Sequence, residues 1–313
     1  MFFGGGNIML LIYNFDFELI FLETKVKSTS WTVYYNQIGT FEAHLPISSH
    51  LTKIVADNKY LIVREDDKKA VLTGYEIDNE LILYGRTPNW LLEKRVAPKT
   101  ESVTDKAGII VNNIVTQAFS DVSNFEVLAP PQSTDITIER SVYKTVYNAV
   151  SEYLSTCNLG HSLDFDIKNR KWIFSITKGI EIPLLISESN KNAYDTAIRY
   201  DILDLADCGY YGEDGYLSGE NSGIYRWEAV LPEQTETEAE LSLKEKKENS
   251  EYSLKLRNFK FGKDYNLGDI LRIQITKGSL RTTEKKRISG VQIVKKGGFS
   301  EEIPIFCEIG GTA

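Results

Sequence analysis

The sequence is poor in the residues that build metal, disulfide and cofactor sites. It contains 3 histidines and 3 cysteines in 313 residues, and Cys157, Cys208 and Cys307 lie far apart in the chain. No Cys-x-x-Cys pair and no His-x-x-x-His or His-Glu-x-x-His spacing occurs, which argues against a zinc site and against a disulfide framework. We therefore expect no metal, no cofactor and three free thiols in a reducing compartment.

A membrane-targeting segment is also missing. The first 25 residues are apolar, but Lys25 is their first basic residue, and Asp16 and Glu18 interrupt the run. This pattern fits neither a signal peptide nor a membrane span, so we expect synthesis in the cytoplasm and no membrane insertion. The formal net charge of −8 argues against affinity for nucleic acid, because phosphate binding needs clustered Lys and Arg.

Catalytic motifs are absent as well. There is no Gly-x-Ser-x-Gly elbow, phosphate-binding loop or strand-linked Gly-x-Gly-x-x-Gly, and the Gly4–Gly6 run is typical of a flexible terminus. Ser141 and Lys144 have the Ser-x-x-Lys spacing of serine acyltransferases, but no partner motif follows. Ser141 is better explained as a helix cap. We expect no enzymatic activity.

Two carboxylate pairs remain as candidates for sugar hydrolysis, because the spacing that matters there is three-dimensional. Asp164 and Asp166 alternate along one predicted strand, on the face that we expect to meet water. Asp264 and Asp269 lie close together before another strand, with Asp269 in a Gly-Asp turn. Structural roles are favoured for all four.

Aromatic residues are plentiful, with 17 Tyr and 14 Phe, a bias typical of β-sheets. Short alternating runs predict strands in the first ninety or so residues; they are NIMLLIYNF, STSWTVYYNQ, GTFEAHLP, KYLIVRED and AVLTGYEI. Strands at this spacing favour a barrel or a sandwich.

The character of the chain changes near residue 100. Helical spacing predicts one helix capped by Thr104 and a second capped by Ser141 and stopped by Gly160. A hairpin follows, LDFDIKNRKWIFSI, with Asn169 and Arg170 near its turn and with Trp172, Phe174 and Ile176 on one face.

Residues 208–223 are rich in Gly and acidic residues and predict an exposed loop, followed by a surface helix in TETEAELSLKEKK. Strand patterns then return. The whole chain predicts an α+β, mostly β fold with two β-barrel-like modules, 1–95 and 201–313, flanking an α+β insert, 96–200.

The two β modules share a short internal similarity. Both contain an apolar strand, a charged hairpin tip and a strand with a small residue, Gly, two further residues and Ile. In the first module this is Thr73–Ile77, with Gly74, and in the second it is Ser289–Ile293, with Gly290. The similarity suggests two related modules.

The stretches WTVYYNQIGTFEAHLP and FGKDYNLGDILRI, with RISGVQI, resemble a family of phage minor tail proteins. These are tail-tip or baseplate hub proteins of long-tailed phages, similar to the N-terminal hub of tail-associated lysins. The family pattern falls on Gly39, Phe41, Glu42, Leu45 and Pro46 and on residues 261–269. We predict structural roles at turns and strand starts for Gly39, Phe41, Gly74, Asp264, Tyr265, Gly268, Asp269 and Gly290.

The resemblance implies a homotrimer whose two modules alternate around a pseudo-six-fold ring under a tail tube. It implies contacts with a hexameric distal tail or tube protein, the tape measure protein and receptor-binding or tip proteins, and DNA only in transit through the ring. The expected location is the virion tail tip, after synthesis in the host cytoplasm. Because the chain ends at Ala313 straight after its last predicted strand, we expect the lytic region of larger family members to be absent or encoded separately.

Two alternatives stay open. One is a tail-associated cell-wall hydrolase acting through the carboxylates named above. The other is a glycan-binding tip module whose tryptophans stack on sugars; the candidates are Trp31, Trp90, Trp172 and Trp227.

Overall fold

The structure, a computed structural model, describes residues 8–47, 49–99, 101–138, 143–234 and 236–309. The chain divides into a larger unit, Met1–Tyr194 with Lys255–Ala313, and a smaller unit, Asp195–Leu254. The predicted cap Ser141 and the Gly4–Gly6 run lie outside the described residues. Across the described ranges, no helix has the length and apolar character needed to cross a bilayer.

Strands make up most of the regular structure, and helices are few. In chain order the strands are β1 (Leu10–Asn14), β2 (Leu19–Glu23), β3 (Ser28–Tyr34), β4 (Thr40–Leu45), β5 (Leu61–Glu65), β6 (Lys68–Ile77), β7 (Leu81–Arg86), β8 (Val103–Lys106), β9 (Phe125–Val127), β10 (Asp135–Ile138), β11 (Gly160–Asp166), β12 (Lys171–Thr177), β13 (Glu181–Ile186), β14 (Ala193–Asp201), β15 (Cys208–Tyr211), β16 (Gly215–Leu217), β17 (Glu228–Val230), β18 (Asn249–Leu256), β19 (Ile270–Lys277), β20 (Leu280–Lys296) and β21 (Phe299–Cys307). The helices are α1 (Ser49–Asp57), α2 (Ala107–Ala118), α3 (Val146–Ser155) and α4 (Glu236–Glu245), with 3-10 turns at Pro88–Lys94 and Gly223–Tyr225.

The larger unit is built on one eleven-stranded sheet in the order β13-β19-β20-β3-β4-β7-β6-β5-β1-β2, with β21 also paired to β20. The antiparallel pair of β20 with β3 lies inside this order and runs from Gly290 opposite Tyr34 to Lys296 opposite Ser28. Strands from the two ends of the sequence therefore share one sheet.

The α+β, mostly β fold class is confirmed. The sheets are not closed barrels, because the strand order of the large sheet ends at β13 on one side and β2 on the other. The barrel-like character predicted for each module is therefore corrected to an open sheet within the described part of one chain.

The core under this sheet follows from alternation along β3 and β4. Trp31 is fully buried, and its ring centroid lies 4.3 Å from that of Phe41 on the neighbouring strand. Ala43 and Leu45 continue the inward face of β4. Large apolar groups at every second position make this pairing register the stable one, because a slip by one residue would expose all of them.

A second core lies between the β11–β12 hairpin and helices α2 and α3. Trp172, Phe174 and Ile176 are buried on one face of β12, as the alternation predicts. The predicted hairpin is confirmed, because β11 and β12 pair in antiparallel fashion from Gly160 opposite Thr177 to Asp166 opposite Lys171. Arg170 in its turn has φ +52. Apolar residues of both helices fill the other side of this cluster.

The predicted helix starts are wrong in position. Thr104 lies in β8, where its hydroxyl is 2.9 Å from that of Thr137 on β10, and α2 begins at Ala107. Strand pairing with a distant segment thus outweighs a local capping preference. The cap of α3 is Thr145, whose hydroxyl accepts a hydrogen bond from the Asn148 amide at 3.2 Å.

Gly160 does not stop α3 as predicted. It is the first residue of β11, and the left-handed conformation after the helix falls on Asn158, with φ +57. The Leu159 amide then donates to the Leu154 carbonyl at 3.0 Å, which closes the last turn. An asparagine can adopt this conformation, so glycine was not needed there.

The smaller unit contains most of the β14–β18 pair, a three-stranded sheet in the order β16-β15-β17, and helix α4. Residues 208–217, predicted as loop, form the β15–β16 hairpin, and Cys208 is fully buried in it. Leu217, Leu231 and Ala239 form the small core that orders this segment. The predicted surface helix is confirmed as α4.

Candidate functional site

The aromatic stretch before β19 forms a tight turn. Asp264 accepts a hydrogen bond from the Lys260 amide through Oδ2 at 2.9 Å, and its own amide donates to the Lys260 carbonyl at 2.9 Å. The Tyr265 side chain is buried with its ring 5.8 Å from that of Phe261, and burial raises the pKa of its hydroxyl. The turn thus buries the Tyr265 ring and holds the Asp264 carboxylate by a hydrogen bond from the backbone.

Gly268 and Asp269 then start β19. Gly268 has φ +86 and its amide donates to the Ile288 carbonyl on β20 at 2.8 Å. The buried carboxylate of Asp269 accepts from two backbone amides, Asn266 at 2.8 Å and Ile180 at 3.0 Å. Asp269 therefore joins the turn to the segment that precedes β13.

Tyr35 is where this strand start meets the rest of the larger unit. An added Cβ at Gly160 or at Gly268 would overlap the Tyr35 ring, so the ring lies directly against both backbones. Its hydroxyl donates to the Thr177 carbonyl at 2.9 Å, and the Arg287 guanidinium lies 5.4 Å from its ring centroid. One tyrosine thus connects β3, the β11–β12 hairpin and β20.

Gly39 and Phe41 fix the start of β4. The Gly39 amide donates to the Thr87 hydroxyl at 2.8 Å, and the Thr87 amide donates back to the Gly39 carbonyl at 3.1 Å. A Cβ at Gly39 would overlap the Thr32 carbonyl. Two residues later, Phe41 packs on Trp31 in the core.

Gly74 and Gly290 both lie at β-bulges. The pairing of β6 with β7 shifts register between Leu72 and Gly74, and the pairing of β20 with β21 shifts between Ile288 and Gly290. The residue skipped in each case is the small hydroxyl residue before the glycine.

The skipped residues make the same contact. The Thr73 hydroxyl donates to the Tyr84 carbonyl at 3.5 Å, and the Ser289 hydroxyl donates to the Ile305 carbonyl at 3.2 Å. Each acceptor belongs to the residue that faces the bulge glycine on the next strand. In both strands a small hydroxyl residue precedes the bulge glycine and makes the same side-chain contact, which supports one repeated structural unit.

The order of strands around the bulges repeats as well. The first series is β3, β4, β5, β6 and β7, and the second is β14, β18, β19, β20 and β21, each with a paired first couple and a bulged fourth strand. β4 pairs with β7 in the first series, whereas β14 and β18 of the second series form a separate two-stranded sheet. In the sequence, residues 202–248 separate the first two strands of the second series, whereas residues 35–39 separate those of the first.

Sequence reasoning missed a buried polar group that joins the two series. Glu65 accepts from the Trp31 indole nitrogen at 2.6 Å, and the Lys295 ammonium lies 2.7 Å from its other oxygen. The Glu65 side chain is 1% exposed. Its position in a charged run suggested a solvated hairpin tip. However, Glu65 follows Leu61 and Val63 at every second position, and this spacing indicates that its side chain points to the same buried face.

The four candidate carboxylates are held in structural contacts. Lys69 lies 2.9 Å from the Asp164 carboxylate, and Asp166 accepts from the Asn169 amide at 3.1 Å in the hairpin turn. Asp264 and Asp269 bond backbone amides as described above. Among the described residues, no group of three or more His, Cys, Asp or Glu side chains is placed to hold a metal ion.

Replacing Asp269 with asparagine is expected to lower the free energy of unfolding by about 2 kcal/mol. The asparagine side chain has only one acceptor oxygen, whereas two backbone N–H groups donate to this position. Asp264→Asn is the control, since only one oxygen of that exposed carboxylate is used, and a smaller loss is expected. Denaturant unfolding measures both. Cell-wall cleavage by the wild type that either change abolished without unfolding would contradict these structural roles.

Acid is expected to destabilise the protein through His161. Its ring is fully buried against Tyr147 and Phe174, and burial lowers its pKa from 6.5 to about 4. Below pH 6.5 the unfolded chain takes up a proton that the folded chain excludes, so up to about 3 kcal/mol is lost as the pH falls to 4. His161→Leu should flatten this part of the pH profile; an unchanged slope in urea unfolding would contradict the assignment.

Solved structures with this fold are phage tail proteins. A tail protein from Neisseria meningitidis MC58 superposes with a TM-score of 0.59 over 97% of each chain, at 11% identity. The 43 kDa tail protein of prophage MuSo2 from Shewanella oneidensis gives 0.58 over 97% of this chain and 98% of that one, at 10% identity. Prophage tail protein gp18 from Listeria monocytogenes EGD-e gives 0.57 over 97% and 95%, at 14% identity. The chain therefore has the fold of these three tail proteins.

Residues 9–207 match the family of Siphovirus ReqiPepy6 Gp37-like proteins, and the chain belongs to this family. No curated protein sequence matches it. The predicted resemblance to phage tail proteins is confirmed.

Proposed function

We propose that this chain is the hub at the distal end of a phage or phage-derived tail, where it forms a homotrimeric, pseudo-six-fold ring under the tail tube. The observation that carries the proposal is the repeated strand series with its two equivalent bulges. Three chains with two related modules each present six similar surfaces to a six-fold tube. A single ring thereby links three-fold tip structures to a hexameric tube.

Ring closure follows from the way in which the modules would meet. A contact between module one of one chain and module two of the next is heterologous, and three such contacts close a ring without free ends. Pairing between chains also covers sheet edges that would otherwise invite aggregation.

The partners of such a hub are the hexameric distal tail or tube protein, the tape measure protein and the receptor-binding or tip proteins. DNA passes through the ring only in transit, and the net charge of −8 suits a channel that must not hold it. The ring belongs to the virion tail tip after synthesis in the host cytoplasm.

We also propose the division into a first β module (1–95), an α+β insert (96–200) and a second β module (201–313). The insert contains helices α2 and α3 and the β11–β12 hairpin, whose apolar residues share one core with Tyr13, Phe17, Ile62 and Leu92 of the first module. On this proposal the insert lies on the outer or distal side of the ring, where it leaves the ring contacts to the β modules.

The role proposed is non-enzymatic. The candidate carboxylates bond lysine or backbone, and Trp31 and Trp172 are buried in cores. Trp227 is 38% exposed and is the tryptophan best placed to reach a glycan. Wall cleavage by the purified protein would support the hydrolase alternative, and glycan binding lost in Trp227→Ala would support the tip-module alternative.

Electron microscopy of purified tails tests the proposal. The density of this chain should occupy the distal end of the tube as three copies around a central channel. A position along the tube or any other copy number in the ring would overturn it.

A further inference from the structure

The bulged strands β6 and β20 are alike in sequence and geometry but differ in how they are covered. In β20, Val291 and Ile293 are 0% and 3% exposed, and β3 pairs with that half of the strand on the side away from β21. The matching residues of β6, Tyr75 and Ile77, are 45% and 42% exposed. Beyond the last pair of β6 with β5, at Val71, the described residues place no strand on that side of β6.

The space around the two bulge glycines, Gly74 and Gly290, differs in the same way. A Cβ at Gly290 would overlap the Tyr34 ring at 2.6 Å and lie 3.0 Å from the Val33 carbonyl, so β3 approaches too closely for any side chain there. A Cβ at Gly74 would meet nothing within 4 Å. β20 needs a glycine at its bulge because β3 lies against it. β6 also has a glycine at its bulge, although a Cβ there would meet no other atom of this chain within 4 Å.

The uncovered stretch of β6, residues 73–77, borders a groove of about 280 Å³ whose other wall is the end of α1 and the residues after it. Monomeric proteins commonly blunt a free edge with lysine, proline or a covering loop. Residues 73–77 carry two exposed apolar side chains, Tyr75 and Ile77, one charged residue, Glu76, and no lysine or proline.

We propose that the edge of β6 at residues 73–77 pairs with strand β14 of a second copy of this chain. Within one chain β3 covers β20, and β3 is the first strand of the first series. The first strand of the second series is β14, and the strand order gives it one paired neighbour, β18. Pairing β14 of one copy with β6 of the next reproduces between chains the contact that β3 and β20 make within one. This inference rests on the proposed ring and names the strands that close it.

Gly74→Val tests the edge directly. Because the site is open and valine favours strands, the variant should fold with an unchanged melting temperature, whereas its side chain would occupy the space of the incoming strand. Sedimentation equilibrium from micromolar to several hundred micromolar should show trimers for the wild type and monomers for the variant.

Tyr75→Glu provides a second variant that does not depend on the glycine, since it places a charge on the pairing edge. Leu280→Glu is its matched control, because Leu280 is also a strand residue, 49% exposed, and lies away from the proposed edge. The first change should weaken association at least tenfold, and the control should leave it unchanged.

Disulfide crosslinking identifies the partner strand. Tyr75→Cys chains are mixed with Ala197→Cys chains or with Ile198→Cys chains and oxidised. Adjacent residues of a strand face opposite sides, so a β6–β14 pair should crosslink through one of these positions and not the other. Crosslinks at neither position, or at both equally, would overturn the pairing.

The outcomes separate this inference from the proposed function. Trimers in the wild type and monomers in a folded Gly74→Val chain support both. Trimers in both proteins overturn the β6 edge and leave the ring standing. A wild type that stays monomeric over the whole concentration range overturns the ring, and this inference with it.

Discussion

Replacing Gly268 with alanine is expected to lower the free energy of unfolding by about 4 kcal/mol. Part of the loss is backbone strain, because φ is +86 at this position and a residue with a Cβ pays about 1–2 kcal/mol in the left-handed region. The rest is overpacking, since the new methyl group would overlap the Tyr35 ring, and such insertions cost about 1–3 kcal/mol. The ring is held by its hydroxyl bond to the Thr177 carbonyl and cannot move away freely.

Gly278→Ala is the control that separates the two causes. Gly278 also has a left-handed backbone, with φ +60, but a Cβ there would meet nothing within 4 Å. Guanidinium unfolding of both variants should therefore show a loss of about 1–2 kcal/mol at Gly278 and at least twice that at Gly268. Equal losses would mean that Tyr35 is not packed against this strand start.

Replacing Glu65 with alanine is expected to cost about 3 kcal/mol. The change removes the buried one of two carboxylates that contact the Lys295 ammonium, since Asp66 stays at 2.6 Å, and it leaves the Trp31 indole nitrogen without an acceptor. Removing one member of a buried ion pair typically costs about 3–5 kcal/mol, because the remaining charge stays desolvated. The same change should loosen the contact between β5 and β20, which belong to the two strand series.

Lys285→Met tests whether burial is the cause. Lys285 and Glu181 form an ion pair at 2.7 Å, but their side chains are 50% and 51% exposed, so its loss should have little effect. The double variant Glu65→Leu with Lys295→Met should recover much of the loss, since it removes both buried charges. Thermal melts of the four proteins decide this, and a Glu65→Ala protein as stable as wild type would contradict the buried network.

Features with local causes could be predicted from the sequence. Alternation of Trp172, Phe174 and Ile176 placed the hairpin and its buried face correctly, because every second side chain of a β-strand points to the same face of the sheet. The same logic placed Trp31 and Phe41 in neighbouring strands. The resemblance at 39–46 and 261–269 supplied the tail protein class, which composition alone does not indicate.

Features decided by distant contacts could not be predicted. Thr104 is a good helix cap in isolation, but residues near 137 pair with it as a strand. The acidic segment at 208–217 forms a hairpin because Leu231 and α4 cover it, and both lie later in the chain. The joining of β3 to β20 requires residues more than 250 positions apart and has no local signal.

The repeated bulge lies between these cases. The sequence showed the matching Thr73-Gly74 and Ser289-Gly290, but a five-residue similarity cannot establish a repeat. The equivalent register shifts and hydroxyl contacts supply what it lacked. Related modules within one chain are the physical basis for a trimer that matches six-fold symmetry.

The central claim is therefore a copy number, and native mass spectrometry of the assembled wild-type protein measures it most directly. The ring predicts a species of three times the 35.5 kDa chain mass, which dissociates when the β6 edge is blocked by Gly74→Val. A dimer, a hexamer, or a monomer at every concentration would contradict it.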